Sequence, residues 1–216
     1  MRKALCSIIL AACIPSWSFA QDGEKWVDLF PGKNLAGWRR VPIAPDTKLN
    51  DKNAWSVDAK NKLLICDGVG VKEMLLYDKE LGDGVFHVEW RFRKVEGDPI
   101  YNSGIYLRAA KDGLTWHQIQ VAHTKKPPFM GDLFGVLDRV KQQTKVLATG
   151  EGPKLVKGPG EWNTYEISCK GKQITVVING KTSCVWNDCD MPRGHIGMQA
   201  EFFFIEFRNL KFKELK

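Results

Sequence analysis

Alternation of apolar and polar residues is the feature that most limits the folds open to this chain. Residues 84–95, GVFHVEWRFRKV, alternate apolar side chains with charged ones. Residues 116–123, WHQIQVAH, alternate in the same way, with His117, Ile119, Val121 and His123 on one side. A period of two is typical of a β-strand with one face buried. Residues 164–186 read as three strands joined by two tight turns, and Asn179-Gly180 favours a type I′ hairpin in the second turn. Two more strands are predicted over 194–199 and 202–215.

Helical periodicity is weak throughout. The best helical stretch, residues 72–81, is equally compatible with a strand and a turn. Residues 124–160 are rich in Pro, Gly and Lys and are predicted to form long connections. Many short strands between turn residues predict an all-β protein, an antiparallel sandwich or barrel. The sequence shows no internal repeat, and residues 21–216 are predicted to form a single domain.

The first twenty residues predict export. A basic start, an apolar run and the small residues before Gln21 fit a signal peptide over 1–20, and no stretch is long enough for a transmembrane helix. The protein is therefore expected in the periplasm or outside the cell. The alternative is a lipoprotein anchored at Cys13, because LAAC also fits a lipidation site.

The charge of the chain argues against a nucleic-acid partner. Removing residues 1–20 takes away Arg2 and Lys3 and no acid, which leaves 30 basic and 25 acidic residues. The small basic excess is spread along the chain, and its densest spot is the pair Lys125 and Lys126. A nucleic-acid binder more often has a clustered basic stripe with interleaved aromatic residues.

Four cysteines remain after the leader. In an oxidising compartment they can form two disulfides in three pairings. The short stretch CVWNDC favours a bond between Cys184 and Cys189, which leaves Cys66 and Cys169 to pair. The four cysteines show no CxxC spacing, so the sequence does not indicate a metal site instead.

Familiar catalytic motifs are absent from the sequence, so function must come from side chains that converge on a sheet face. Residues 102–108, NSGIYLR, begin with three turn formers and continue as a strand with Tyr106 and Arg108 on one side. The sequence thus offers either a surface strand or a polar face that holds a ligand. Trp38, Trp55 and Trp162 are expected in the core, whereas three successive aromatic residues at 202–204 cannot all face it.

Four stretches occur in an order that resembles the 3-keto-disaccharide hydrolase family. They are WVDLFPGKNLAGWRR, NSGIYLR, GEWNTYEISCKGKQITVVINGK and GHIGMQAEFFFIEFRNLKFKEL. The family is also described as 3-keto-glucoside 1,2-lyases and 3-keto-2-hydroxyglucal hydratases. The resemblance implies a concanavalin-A-like jelly roll of two antiparallel sheets that binds a sugar or 3-keto-glycoside. It further implies cleavage by removal of the C2 proton, elimination of the C1 substituent and hydration.

The resemblance also implies which residues contact the sugar. Asn102 and Arg108 belong to the motif beside the family's pocket, and Gln120 and Gln199 are retained from it. Gln118 stands where the family has a Glu, and a Gln is expected to bind rather than to act as a base. Arg208 is added as a ligand for the oxygens at C2 and C3.

The acid and base are where this sequence departs from the family. His123 stands for the family's Asp and Glu201 for its His, so the two residue types are exchanged, and together they are the predicted pair for proton transfer. Glu89 is a further candidate base. The alternative is a carbohydrate-binding domain that has lost catalysis, and a third possibility is a protein-interaction sandwich that uses residues 124–160.

No organic cofactor is predicted. Glu201, His123 and Asp132 could supply mixed nitrogen and oxygen ligands to a divalent metal that stabilises an enediolate, but their spacing identifies no ion. The sequence sets no oligomeric state.

Overall fold

A computed structural model describes residues 25–43, 48–97, 100–123 and 129–216. The predicted signal peptide over 1–20, Cys13 and the pair Lys125 and Lys126 lie outside these residues. Within the described ranges, no helix is long and apolar enough to cross a membrane.

In the described part of the chain, fifteen strands form two antiparallel sheets. The strands are β1 (Val27–Asp28), β2 (Trp38–Pro42), β3 (Trp55–Asp58), β4 (Leu63–Asp67), β5 (Lys72–Tyr77), β6 (Gly84–Phe92), β7 (Tyr101–Ala109), β8 (Trp116–His123), β9 (Leu133–Val136), β10 (Thr144–Ala148), β11 (Asn163–Lys170), β12 (Gln173–Ile178), β13 (Lys181–Trp186), β14 (His195–Glu201) and β15 (Phe204–Glu214). A 3-10 helix covers Lys33–Leu35, and one short helix, α1, covers Gly152–Leu155.

The two sheets pack face to face. The front sheet has the order β10-β9-β8-β7-β14-β5-β2. The back sheet has the order β13-β12-β11-β6-β15-β4-β3, with β1 beside β15. Apolar residues from the inner faces of both sheets form one core cluster, which includes Trp38, Trp55, Trp90 and Ile105. The predicted antiparallel sandwich is confirmed, and so are Trp38 and Trp55 as core residues.

Most local predictions from alternation are confirmed. Residues 116–123, the three strands within 164–186 and the two C-terminal strands form as expected. Asn179 and Gly180 both have positive φ, 49° and 81°, as a type I′ turn requires. Of the two interpretations of residues 72–81, the strand is confirmed and the helix is wrong, because Lys72–Tyr77 is a strand whose alternate side chains face opposite sides. Residues 124–160 also contain β9, β10 and α1 rather than connections alone.

The predicted disulfides are wrong. All four cysteines are free and buried. Cys66 on β4 and Cys169 on β11 are separated by β6 and β15, a distance of about 14 Å at the usual strand spacing. Cys66 and Cys169 therefore cannot bond without movement of the backbone. The Sγ atom of Cys184 lies 3.7 Å from the carbonyl of Gly131, whereas Cys189 contacts Arg108.

The aromatic residues at 202–204 are divided between environments, as expected. Phe202 is 55% exposed, Phe203 packs against Phe92 and Tyr101, and Phe204 lies under the guanidinium of Arg93. The prediction for Trp162 is wrong. Its half-buried ring contacts Arg91 and Arg208, which lie on the outer face of the back sheet.

Candidate functional site

Five polar side chains converge on the outer face of the front sheet. They come from β7, β8 and β14, which are neighbours in that sheet. We call them the amide–carboxylate cluster: Asn102, Gln118, Gln120, Gln199 and Glu201. Gln118 and Gln199 are each only 6% exposed. The strands bring them together because each strand presents every second residue to the same face.

Hydrogen bonds link all five members of the cluster. Asn102 Nδ2 and Gln199 Nε2 both donate to Oε2 of Glu201, at 2.7 and 2.8 Å. Gln120 Nε2 donates to Oδ1 of Asn102, and Gln118 Nε2 donates to Oε1 of Gln120 at 2.9 Å. Gln118 also lies 3.5 Å from Oε1 of Gln199. Donation from two amides suits an ionised carboxylate, which only accepts hydrogen bonds.

A lysine completes the polar end of this face. Lys72, on β5 opposite Glu201, places its Nζ 3.5 Å from Glu201 Oε1. Its side chain is 53% exposed, while that of Glu201 is 11% exposed. The carboxylate is thus largely enclosed, and the ammonium group beside it reaches solvent. A carboxylate can remove a proton as a base, and a cation beside it can stabilise the negative charge that forms on the substrate.

The other end of the same face is apolar. Val41, Met74, Leu76, Tyr106 and Trp116 belong to a second buried cluster there. The hydroxyl of Tyr106 has no hydrogen-bond partner within the described parts of the chain. Complete burial raises the pKa of Tyr106 well above its usual range, and the charge of Glu201 adds to the shift. The phenol therefore stays protonated.

A family model that describes a 3-keto-alpha-glucoside-1,2-lyase-like domain matches residues 25–213. The chain belongs to this family. The amide–carboxylate cluster lies inside the matched range, and the resemblance inferred from the four sequence stretches is confirmed. A comparison with curated protein sequences gives no significant match.

Solved structures share the fold of this lyase-like domain. A Parabacteroides distasonis protein assigned as a glycosyl hydrolase is 23% identical, with a TM-score of 0.64 over 88% of this chain and 100% of that one. The carbohydrate-binding module CBM66 of Bacillus subtilis is 12% identical, with a TM-score of 0.64 over 85% and 99%. A Bacillus licheniformis β-glucanase is 12% identical, with a TM-score of 0.58 over 91% and 100%. The predicted concanavalin-A-like jelly roll is confirmed.

Arg108 of the lyase-like domain does not join the cluster. Its φ is +45° at a point where the register between β7 and β14 shifts, so the alternation that placed it beside Tyr106 is broken. The side chain is 2% exposed and donates to the carbonyls of Gly171 and Met191 at 2.8 and 2.7 Å. It also pairs with Asp83 at 2.8 Å. Arg108 therefore stabilises three other segments of the chain and does not face the amide–carboxylate cluster.

The predicted acid–base pair is not formed. Glu201 lies in the cluster, but His123 pairs across strands with the core residue Tyr101, and their ring centroids are 6.1 Å apart. His123 therefore lies on the inner side of the front sheet. Asp132 also lies outside the cluster, and its carboxylate accepts a hydrogen bond from the backbone amide of Gly150. Burial raises the pKa of Asp132, and this effect outweighs the hydrogen bond, which acts to lower it. Within the described ranges, no three His, Cys, Asp or Glu side chains could hold a metal ion.

Glu89 and Arg208 lie on the opposite side of the molecule. Both are on the outer face of the back sheet, where Arg208 Nε donates to Glu89 Oε2 at 2.7 Å. Burial opposes ionisation of Glu89, but hydrogen bonds from Asn209 and Arg208 outweigh it and lower its pKa. Neither residue can act with the amide–carboxylate cluster.

Sequence reasoning missed two residues of the site. Lys72 was not among the candidate residues, although Lys72, Met74 and Leu76 alternate on one side of their strand. Gly104 was expected in a turn but lies in the middle of β7, directly opposite Gln120. A Cβ atom on Gly104 would lie 2.5 Å from Nε2 of Gln118, so the absence of a side chain lets Gln118 lie across the floor of the cluster.

His117 should make the stability of the domain depend on pH. Its ring is fully buried with Nε2 3.7 Å from Cys189 Sγ. Burial, helped by the charge of Arg108, lowers its pKa from 6.5 to about 4. Between these values the unfolded chain binds a proton that the folded domain does not. The free energy of unfolding should therefore fall as the pH drops from 6.5 toward 4, by up to about 3 kcal/mol.

Urea unfolding of the wild type and His117→Gln at several pH values tests this. The variant should lose part of the slope between pH 6.5 and 4, because Gln does not titrate. Identical slopes in the two proteins would show that His117 is not held in its neutral form.

Proposed function

We propose that this domain binds a 3-keto-glycoside at the amide–carboxylate cluster and cleaves it by elimination, with Glu201 as the base. One observation carries the proposal. The carboxylate of Glu201 is held by two amide donors, lies 3.5 Å from the ammonium group of Lys72 and is surrounded by amides otherwise. Amides and a single ion pair suit a ligand with many hydroxyl groups, since each amide offers both a donor and an acceptor.

The elimination needs one group that moves protons and one that stabilises charge. Glu201 takes the proton from C2, and the electrons of the C–H bond form an enolate with the ketone oxygen at C3. The bond between C1 and the leaving oxygen then breaks, and that oxygen receives the proton from Glu201. The ammonium of Lys72 is placed to stabilise the enolate, because it is the cation adjacent to the carboxylate.

Hydration of the product runs the same steps in reverse with water. The carboxylate of Glu201 takes a proton from water, the oxygen of that water bonds to C1, and C2 is protonated. The net change is hydrolysis of the glycosidic bond. One carboxylate can serve both stages, since it returns the proton that it takes in each.

A carbohydrate-binding domain without catalysis is the second candidate. It is favoured by the composition of the cluster, which holds one carboxylate and no imidazole, because His123 lies on the other side of the sheet. The similarity in fold to a carbohydrate-binding module is compatible with this function.

Incubation of the protein with a 3-keto-glucoside that carries a chromogenic aglycone distinguishes the two. Release of the aglycone at a rate above that of the buffer supports the lyase. Saturable binding of the 3-keto-glucoside by calorimetry, without release, contradicts the lyase and supports the binding domain. If the protein neither releases the aglycone nor binds the 3-keto-glucoside, both proposed functions are contradicted.

Substituting Gly104 with alanine should weaken the binding of the 3-keto-glucoside by about tenfold. The new Cβ would displace Gln118 and break its hydrogen bonds to Gln120 and Gln199. The side chain of Gln118 can move, so the thermal midpoint should change little. Titration calorimetry measures the affinity.

Gly32→Ala is the matched control, because a Cβ there would come no closer than 3.7 Å to another atom. Equal affinities for Gly104→Ala and Gly32→Ala would show that the position of Gln118 is irrelevant to the ligand.

A further inference from the structure

The outer face of the back sheet holds a second cavity, remote from the amide–carboxylate cluster. Its volume is about 220 Å³, and Trp26 forms one wall. Lys62, Lys211 and Asn209 line it as well, together with Asp28. We call it the tryptophan–lysine cavity. It lies where β1 joins β15, on the side of the sandwich that does not face the front sheet.

The cavity has an excess of positive charge. Within the described part of the chain, neither Lys62 nor Lys211 forms an ion pair with a carboxylate. Asp28 is the acid in the lining, and its Oδ1 accepts a hydrogen bond from the backbone amide of Phe30 at 2.9 Å. The lining thus holds two lysines that form no ion pair and one carboxylate that already accepts a hydrogen bond. This excess of positive charge suits an anionic ligand.

Trp26 gives the cavity an aromatic surface. Its ring is half-buried and lies over the ammonium groups of Lys211 and Lys213, at 4.8 and 5.5 Å. The edge-on ring of His87 also holds it in place, with centroids 6.1 Å apart. A fixed indole can stack on the apolar face of a pyranose ring, while the amide of Asn209 offers hydrogen bonds to its hydroxyls.

A second tryptophan lies further along the same face. Trp162 is also half-buried, with the guanidinium groups of Arg208 and Arg91 at 3.9 and 4.5 Å from its ring. Trp26 packs against His87 and Trp162 packs against Arg91, and these two residues lie four positions apart on β6. The contact points of the two indoles are thus about 13 Å apart along the strand, at the usual rise per residue. That separation exceeds one sugar ring and suits a short oligosaccharide.

We infer that this face is a binding site for acidic glycans, whose carboxylate or sulfate groups contact Lys62 and Lys211 and whose rings stack on Trp26 and Trp162. The site is independent of the proposed lyase chemistry. It would hold the domain on an acidic polysaccharide while the front sheet binds its own ligand.

Affinity electrophoresis in gels that contain polygalacturonate, dextran sulfate or unmodified dextran tests the inference. Retardation by polygalacturonate identifies carboxylated glycans, and retardation by dextran sulfate identifies sulfated ones. Trp26→Ala and Lys211→Gln should each weaken the retardation by about tenfold, since each removes a contact worth about 1.4 kcal/mol. Glu201→Gln should leave it unchanged.

Matched controls distinguish a specific binding site from an effect of the positive charge of the whole protein. Phe202→Ala removes an exposed aromatic side chain elsewhere, and Lys141→Gln removes a lysine whose side chain is 78% exposed. Both should bind like the wild type, and thermal unfolding should show that Trp26→Ala folds. The inference is overturned if neither acidic polymer retards the protein. It is also overturned if dextran does so equally, or if Lys141→Gln weakens binding as much as Lys211→Gln does.

Discussion

Substituting Glu201 with glutamine is expected to lower the release of aglycone from a 3-keto-glucoside by about a thousandfold. Gln has nearly the shape of Glu but cannot take a proton at ordinary pH. The substitution therefore removes the base while it leaves the other four members of the cluster in place. Binding of the 3-keto-glucoside should change by less than about tenfold, because most of its contacts are to amides.

Exchange of the C2 proton gives a readout that is specific to the base. In D2O, the wild type should exchange the C2 proton of the 3-keto-glucoside for deuterium, and Glu201→Gln should not. Lys72→Met should behave differently. It retains the base, so exchange should persist at a lower rate, because the enolate loses the ammonium group that lies 3.5 Å from the carboxylate.

Glu80→Gln is a suitable control, since the side chain of Glu80 is 58% exposed and lies outside the cluster. It should release aglycone at the rate of the wild type. If Glu201→Gln retains full activity, Glu201 is not the base, and a group outside the amide–carboxylate cluster must move the proton.

The sandwich could be predicted because strand alternation is a local property of the sequence. In residues 116–123 the alternation even places Gln118 and Gln120 on the side opposite His123. It thereby carried the information that His123 could not join them. His123 and Glu201 were predicted to act as a pair because their residue types are exchanged relative to the family motif. The sheet instead places His123 beside Tyr101, on the face opposite Glu201.

The two outer faces of the sandwich cannot be told apart from alternation alone. Glu89 and Arg208 alternate with core residues in the same way as Gln118 and Glu201 do, yet they face the opposite side of the molecule. The assignment of a strand to the front or back sheet depends on pairing between residues that are distant in sequence. Glu89 and Arg208, for example, are 119 positions apart. Such pairings are not visible in a local pattern.

A register shift defeats the alternation rule at Arg108. The rule puts Arg108 on the face of Tyr106, but its φ of +45° turns the side chain to the other side. Positive φ is uncommon outside glycine, and nothing in the local sequence NSGIYLRAA indicates it. Gly194, directly before β14, approaches so closely that a Cβ there would lie 2.5 Å from the Cα of Arg108, so the absence of a side chain leaves room for this turn of the backbone.

Arg108→Ala should consequently destabilise the domain by about 3 kcal/mol rather than abolish sugar binding. It would leave the carbonyls of Gly171 and Met191 without their donor and open a cavity beside Cys189. Asp83, whose side chain is 38% exposed, can be solvated by water, which limits the cost of breaking the ion pair. For a domain of this size, the midpoint of thermal unfolding should fall by roughly 6 to 12 °C.

Arg139→Ala provides the matched comparison, because Arg139 pairs with Asp112 where both side chains are about half exposed. Its loss should cost less than about 1 kcal/mol. Below the unfolding transition, Arg108→Ala should bind the 3-keto-glucoside with the affinity of the wild type, since its side chain lies on the inner side of the sheet. A variant with normal stability and lost binding would instead make Arg108 a sugar ligand, as the family motif alone implied.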